Sequence, residues 1–294
     1  MPQRKELLHR AIAAIRRRGP RNHAPTTELD VDTALEMDLV ELYRAIAASG
    51  SGAERPQYVW PLLRAARDAQ ALRIPEIAAC EFGVAAGRGL LALEEIAGIV
   101  GQATGVEIRV FGFDTGAGLP PPRDHRDVPF SFEPGHFAMD VDALRGRLSS
   151  AELVLGDVAD SVSPWLDAGP PPVGFVSFDL DYYSSTTDAM TLFDASTDRC
   201  LPRVVCYFDD VFGYKYGDHN GARLAISDFN DAHERRKLSE IHGLRYHLPR
   251  SEYFEPWHQK LWVLHVFDHP RYGDSTRLRQ PDHREYSSLA PARR

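Results

Sequence analysis

Residues 77–89 read IAACEFGVAAGRG. The apolar run IAACEF ends in an acid and an aromatic, and a glycine-rich turn follows at once. The run has the length and composition of a strand buried on both faces, and residues 88–100 have the apolar spacing of a helix. A strand that passes through such a turn into a helix is the opening unit of a doubly wound sheet, which takes its ligands at that turn. Glycines there let the backbone reverse sharply and come close to a bound group. The spacing is discriminating. A dinucleotide fingerprint beginning at Gly83 needs glycines at 85 and 88, where Ala85 and Arg88 stand. No Lys-Ser or Lys-Thr closes the turn, which excludes a P-loop. What remains is E-x-G-x-x-x-G-x-G, from Glu81 through Gly83 and Gly87 to Gly89.

Downstream of this unit the alternation continues. IRVFGF (108–113), AELVLG (151–156), VGFVSF (173–178) and PRVVCYF (202–208) read as strands. Helices are expected over 139–149, 158–167, 184–195 and 219–236. Two further strands, LRYHL (244–248) and KLWVLHVF (260–267), have only a loop between them and fit an antiparallel addition at one edge. The fold class expected is α/β: a doubly wound, mostly parallel sheet with an antiparallel edge strand and an N-terminal helical extension. Upstream, amphipathic helices are expected over 4–18, 31–48 and 57–72, in a stretch that shows no chemistry. The division expected is an extension over 1–75, a ligand-binding catalytic domain over 76–270 and a polar tail over 271–294.

Bulk properties narrow the partners. The net charge of -8 opposes non-specific binding to nucleic acid or anionic lipid, so neither is expected as a partner. No run of 18 apolar residues is present, so no membrane span is expected, and the basic start lacks the apolar core of a signal peptide. Cys80, Cys200 and Cys206 are too few for a disulfide framework and read as small core residues of a cytoplasmic protein.

Acids follow the strands. In FGFDTGAGLP (111–120), Asp114 ends the second strand, where a carboxylate can accept both hydroxyls of a ribose; alone it is equally a turn or cap residue. Asp157 follows the third strand in LVLGDV (153–158). VGFVSFDLDYY (173–183) and YFDDVFGY (207–214) place Asp179 and Asp181 after the fourth strand, and Asp209 and Asp210 after the fifth. A crossover helix between those strands makes them parallel neighbours, so the four carboxylates share one rim. A hard divalent cation relieves their repulsion. Each one singly is also compatible with a solvated strand end, and Asp181 with a helix cap.

The motif at 81–89 resembles the first motif of class I S-adenosylmethionine (SAM) methyltransferases. In order, FGFDTGAGLP, GHFAMDVDALRGRL (135–148), FDLDYYSST (178–186), FDDVFGY (208–214) and GARLAISDF (221–229) resemble the metal-dependent macrocin O-methyltransferase (TylF-like) family, over about residues 55–267. The resemblance implies that Glu81, with neighbouring Phe82, lies at the methionine end of SAM, and that Gly83, Gly87 and Gly89 lie against the cofactor. It implies Asp114 and Thr115 at the ribose, and Asp157 and Val158 at the adenine. It implies Asp179, Asp209 and Asp210 as ligands of Mg²⁺ or another hard divalent cation, with Asp181 as the base beside metal-bound Asp179. The implied activity is O-methylation of a hydroxylated small molecule, a sugar or glycosylated natural product, by a protein that can form a homo-oligomer. His219, in the loop GYKYGDHNG (213–221), is a second candidate proton acceptor. The chain departs from the family at Leu201-Pro202-Arg203, where glycines are usual, and at Tyr182-Tyr183, which follow D-x-D in place of Leu-Tyr. A SAM-binding scaffold without turnover is the competing reading; a nicotinamide oxidoreductase is opposed by the glycine spacing.

Overall fold

The computed structural model describes residue 43, residues 55–247 and residues 255–274. The helices expected over 4–18 and 31–48 lie outside the described residues, apart from helical Tyr43. So does the tail beyond residue 274.

A 3-10 turn, Pro56–Tyr58, leads into α1 (Val59–Ala71). Then follow β1 (Glu76–Phe82), α2 (Arg88–Thr104), β2 (Glu107–Asp114), α3 (Val141–Arg145), β3 (Glu152–Leu155) and α4 (Val158–Asp167). The chain continues with β4 (Val173–Phe178), α5 (Tyr183–Met190), β5 (Cys200–Phe208), α6 (Gly221–Ala232), β6 (Arg236–Glu240) and β7 (Leu261–Val266). The seven strands form one sheet in the order β3-β2-β1-β4-β5-β7-β6. All pairs from β3 to β5 are parallel. Strand β7 runs antiparallel to both β5 and β6, so the antiparallel pairing closes one edge.

Strand periodicity divides the apolar residues between two faces. Ile77, Ala79, Phe175, Val205 and Tyr207 join α1 and α2 in one core. Ala78, Cys80, Val176, Val204 and Cys206 join α4, α5 and α6 in the other. The parallel strands are therefore covered on both sides, which is why their sequences run apolar without alternation. The three cysteines are free and buried.

Several boundaries differ from expectation. LRYHL contains no strand in its described part; Leu244–His247 is a 3-10 turn entered through Gly243 at φ 76°. The strand that pairs with the outer side of β7 is RKLSE; only its first residue, Arg236, falls in the helix expected over 219–236, and the rest carries no expected element. Only Leu238 of that strand is buried, so its single apolar residue concealed it. Helix α3 is one short turn capped by Asp140, and α5 tightens at Thr191–Asp194 into 3-10 geometry. Leu201-Pro202-Arg203 lies inside β5, beside an irregularity in its pairing with β4, where a strand proline is tolerated.

The fold places the site through a row of phenylalanines. Phe113, Phe82, Phe178 and Phe208 are in register across β2, β1, β4 and β5. Their rings stack with centroids 4.5, 5.5 and 4.5 Å apart along the row. Burying each contributes about 2–3 kcal/mol, and the shared level aligns the four strand ends. The next residues are Asp114, Gly83, Asp179 and Asp209, so the ladder sets the floor on which the candidate site stands.

Candidate active site

The strand order reverses between β1 and β4, and a crevice opens there beyond the carboxyl ends of the strands. A cavity of about 690 Å³ occupies it. One wall comes from the glycine turn and the end of β2, the other from the ends of β4 and β5.

Backbone approach governs the glycine-turn wall. Gly83 donates its N–H to Phe113 O at 2.9 Å, and Asp179 N donates to Phe82 O at 2.9 Å. At φ 86°, a Cβ on Gly83 would overlap the Asp179 carbonyl oxygen. Glycine is required there for β1 and β4 to diverge at this distance. Gly89, in the first turn of α2, faces the Glu81 carboxylate so closely that a Cβ would displace it. Asp114 holds the turn down: Oδ2 accepts from Val84 N and Ala85 N, each at 2.9 Å, and Oδ1 accepts from Gly116 N at 2.7 Å. Three of about four lone-pair sites on this carboxylate are thus engaged by backbone.

Glu81 is buried beneath that turn. Tyr58 donates its hydroxyl to Glu81 Oε1 at 2.8 Å and lies 3.0 Å from Ser177 Oγ. Glu81 Oε2 is buried and has no hydrogen-bond partner. Burial pushes the carboxyl up to about 7, against the Tyr58 hydrogen bond and the nearby Arg55. A buried acceptor facing a cavity without a donor is a site for a cationic or N–H ligand group. At the far end, Asp157 caps α4 by accepting from Ala159 N at 3.0 Å. Thr115 donates to Gly118 O at 2.9 Å.

The other wall is crowded with carboxylates. One oxygen each from Asp179, Asp209 and Asp210 lies within 4.8 Å of the others. Opposite ligands of a hard divalent ion stand roughly 4–5 Å apart, so three oxygen donors at this spacing fit such an ion. Burial, then repulsion from Asp209 and Asp210, raises Asp179 well above the carboxylate range. Burial likewise raises Asp210. Asp209 is the exception. Burial opposes its charge, but Lys260 Nζ at 2.8 Å and the Tyr207 hydroxyl at 2.6 Å both donate to Oδ1 and hold it below its ordinary value.

Asp181 sits above this cluster at φ 59°, an unusual conformation for a residue with a side chain, and its N–H donates to Asp210 Oδ2 at 2.9 Å. Tyr216 donates to Asp181 Oδ1 at 3.2 Å. Burial, then the Asp210 charge, pushes Asp181 up to about 7. The segment after it is fastened from a distance. Helix α5 has no side-chain cap of its own. Asp127 of the Pro-rich loop accepts from Ser184 N at 2.8 Å and from Ser184 Oγ at 2.9 Å.

Glu81, Gly83, Gly89, Asp114, Thr115, Asp157, Val158 and the four aspartates all line the one cavity. Phe82 is in the phenylalanine row, Gly87 caps α2 with its back to Leu144, and His219 is exposed; none of these three is among the lining residues. Sequence reading overlooked Arg55 and Tyr58, in a stretch taken to be without chemistry, and also Ser177, Lys260 and Asp127. Lys260 is 51 residues from its partner Asp209, and Tyr58 is 119 from Ser177. No local pattern signals pairs at such separations. A tyrosine and an arginine just before an apolar helix were the only hint.

No family model matches the sequence, and no curated protein matches it. Solved structures similar to the chain include methyltransferases. CalS11, a calicheamicin methyltransferase, shares 19% identity over 83% of this chain and 90% of its own, with a TM-score of 0.46. The O-methyltransferase NovP shares 16% over 62% of this chain and 75% of its own, with a TM-score of 0.46. MycE, solved with Mg, SAH and mycinamycin VI, shares 12% over 84% of this chain and 67% of its own, with a TM-score of 0.36. Each TM-score is below 0.5, so these likenesses carry no weight for the chemistry of this chain.

Proposed function

We propose that this protein is a SAM-dependent, divalent-metal-assisted O-methyltransferase acting on a hydroxyl of a small molecule, a sugar or glycosylated natural product. One observation carries the reading. The E-x-G-x-x-x-G-x-G turn, with a buried unpartnered carboxylate oxygen on Glu81, and the Asp179/Asp209/Asp210 cluster open into the same cavity. The sequence resemblance to macrocin-type O-methyltransferases assigns matching roles to both walls.

The roles follow from the site. Glu81 Oε2 would receive the ammonium of the cofactor's methionine end. Asp114, its position fixed by three amides, would meet the ribose with its remaining lone pair. Asp157 and Val158 would border the adenine. Bound SAM supplies an electrophilic methyl group. Asp179, Asp209 and Asp210 would hold the divalent cation, which lowers the pKa of a coordinated hydroxyl and orients it. Asp181, raised to about 7 by burial and the charge of Asp210, is matched to accepting a proton near neutral pH. Phe132 and Phe212, both lining the cavity, offer apolar surface to the body of the acceptor.

Thermal shift with SAM, S-adenosylhomocysteine and NAD tests the cofactor. Both sulfur ligands should stabilise the protein and NAD should not; failure of both sinks the reading. Release of S-adenosylhomocysteine across a panel of hydroxylated acceptors, with and without Mg²⁺, tests turnover. Binding without release on any acceptor favours the scaffold.

A further inference from the structure

The metal reading leaves one charged contact unexplained. Lys260 ends the 3-10 turn Pro256–Lys260, immediately before β7. Antiparallel pairing sets Leu261 opposite Tyr207, so Lys260 lies beside the end of β5. Its ammonium donates to Asp209 Oδ1 at 2.8 Å, with the lysine side chain 16% exposed. The same oxygen accepts from Tyr207, and the ammonium lies 5.9 Å from that ring. Arg55 also interacts electrostatically with Asp179 and Asp209. The cluster that would receive a cation thus already contains one.

We infer that Lys260 is a resident counter-ion of the candidate metal site: it neutralises Asp209 when no metal is bound and weakens the affinity of the site for a divalent cation. This rests on the metal reading above. Two effects have the same sign. A divalent ion ligated by Asp209 enters within a few ångströms of a fixed positive charge and is repelled by it. Removing that charge also leaves the empty carboxylate cluster less neutralised, and so more in need of an ion. A monovalent ion offers Asp209 no more charge than the ammonium already does, so the arrangement favours divalent ions. Lys260 is therefore a tuning residue that sets how readily the metal exchanges.

The test is Mn²⁺ binding to the full chain at pH 8, followed by electron paramagnetic resonance of the free ion. Wild type is compared with Lys260→Met, Lys260→Gln and Lys260→Arg, and circular dichroism melts establish that each is folded. Lys260→Gln removes the charge but keeps a donor for Asp209, so it serves if the methionine variant does not fold. The neutral variants should bind Mn²⁺ about tenfold more tightly or better, and the arginine variant should match wild type. Equal or weaker binding by a folded neutral variant overturns the inference and leaves the metal reading standing. If neither wild type nor any variant binds Mn²⁺, the metal reading itself fails, and the inference with it.

Discussion

At the end of β2, Asp114 gives both carboxylate oxygens to backbone amides. At the ends of β4 and β5, Asp179, Asp181 and Asp210 crowd together, and burial, then repulsion from neighbouring carboxylates, pushes all three upward. Both regions stand on the same row of stacked phenylalanines and line the same cavity. They differ in what completes them. The glycine-turn wall is assembled by the chain itself, and its acid serves the fold before it serves a ligand. The acidic wall is held in place by the fold against its own charge, with Lys260 bonded to Asp209 alone. A substitution on the first wall should therefore cost stability, and one on the second should cost chemistry.

The sharpest way to break the comparison is Asp181→Asn. Losing a proton acceptor should lower kcat by about 10²–10⁴-fold. Because the amide removes a repelling charge, the metal-free protein should melt no lower than wild type at pH 8. Near-normal turnover would remove Asp181 from the proton path, and a large loss of stability would remove the contrast between the walls.

Acidity reads out the buried carboxylates of both walls directly. Glu81, Asp179, Asp181 and Asp210 all have raised values in the folded protein, with Glu81 and Asp181 reaching about 7. Their contribution to stability is complete below about pH 4 and is lost as pH rises through those folded values. For Glu81 alone the change from pH 4 to above 7 is about 3 kcal/mol. The metal-free protein should thus melt progressively lower from pH 4.5 to 8. Mg²⁺ should raise the melting temperature more at pH 8 than at pH 5, because the raised Asp179 and Asp210 carry more charge at the higher pH. Melts that are flat with pH, or that Mg²⁺ raises equally at both values, would contradict raised values at these carboxylates.

Asp114→Asn probes the first wall. It keeps the shape but weakens three charge-assisted hydrogen bonds, and should cost about 1–3 kcal/mol in urea denaturation, with loss of SAM binding. A variant that is as stable as wild type and fails only in SAM binding would mean that the turn does not depend on this acid. The smallest expected effect is from Tyr58→Phe, about 1 kcal/mol. The Tyr58 hydrogen bond lowers the Glu81 value, so removing it should move the Glu81-dependent part of the pH profile upward. An unmoved profile would dissociate Tyr58 from Glu81.

The strand–turn–helix that begins at 77–89 was legible because every signal in it is local: an apolar run, a glycine-rich turn and a helical spacing follow one another over residues 77–100. The same holds for the four aspartates, which each strand carries at its own end. RKLSE was not legible, since a strand with one buried residue lacks a pattern of its own and exists through its pairing with β7. Helix 139–149 shortened to α3 for a related reason, as most of its side chains are solvent-facing and only Met139 and Leu144 are buried.

By itself, the sequence determined that the sheet is doubly wound, that a glycine turn opens it, and that acids tip its strands. These follow from short-range periodicity and backbone preference. Tertiary structure alone decided that Tyr58 holds Glu81, that Asp127 caps α5 and that Lys260 neutralises Asp209. Those contacts join residues 23, 57 and 51 apart. It decided the electrostatics for the same reason. A carboxylate's charge state depends on burial and on neighbours brought in by other strands, and neither is written beside it in the chain.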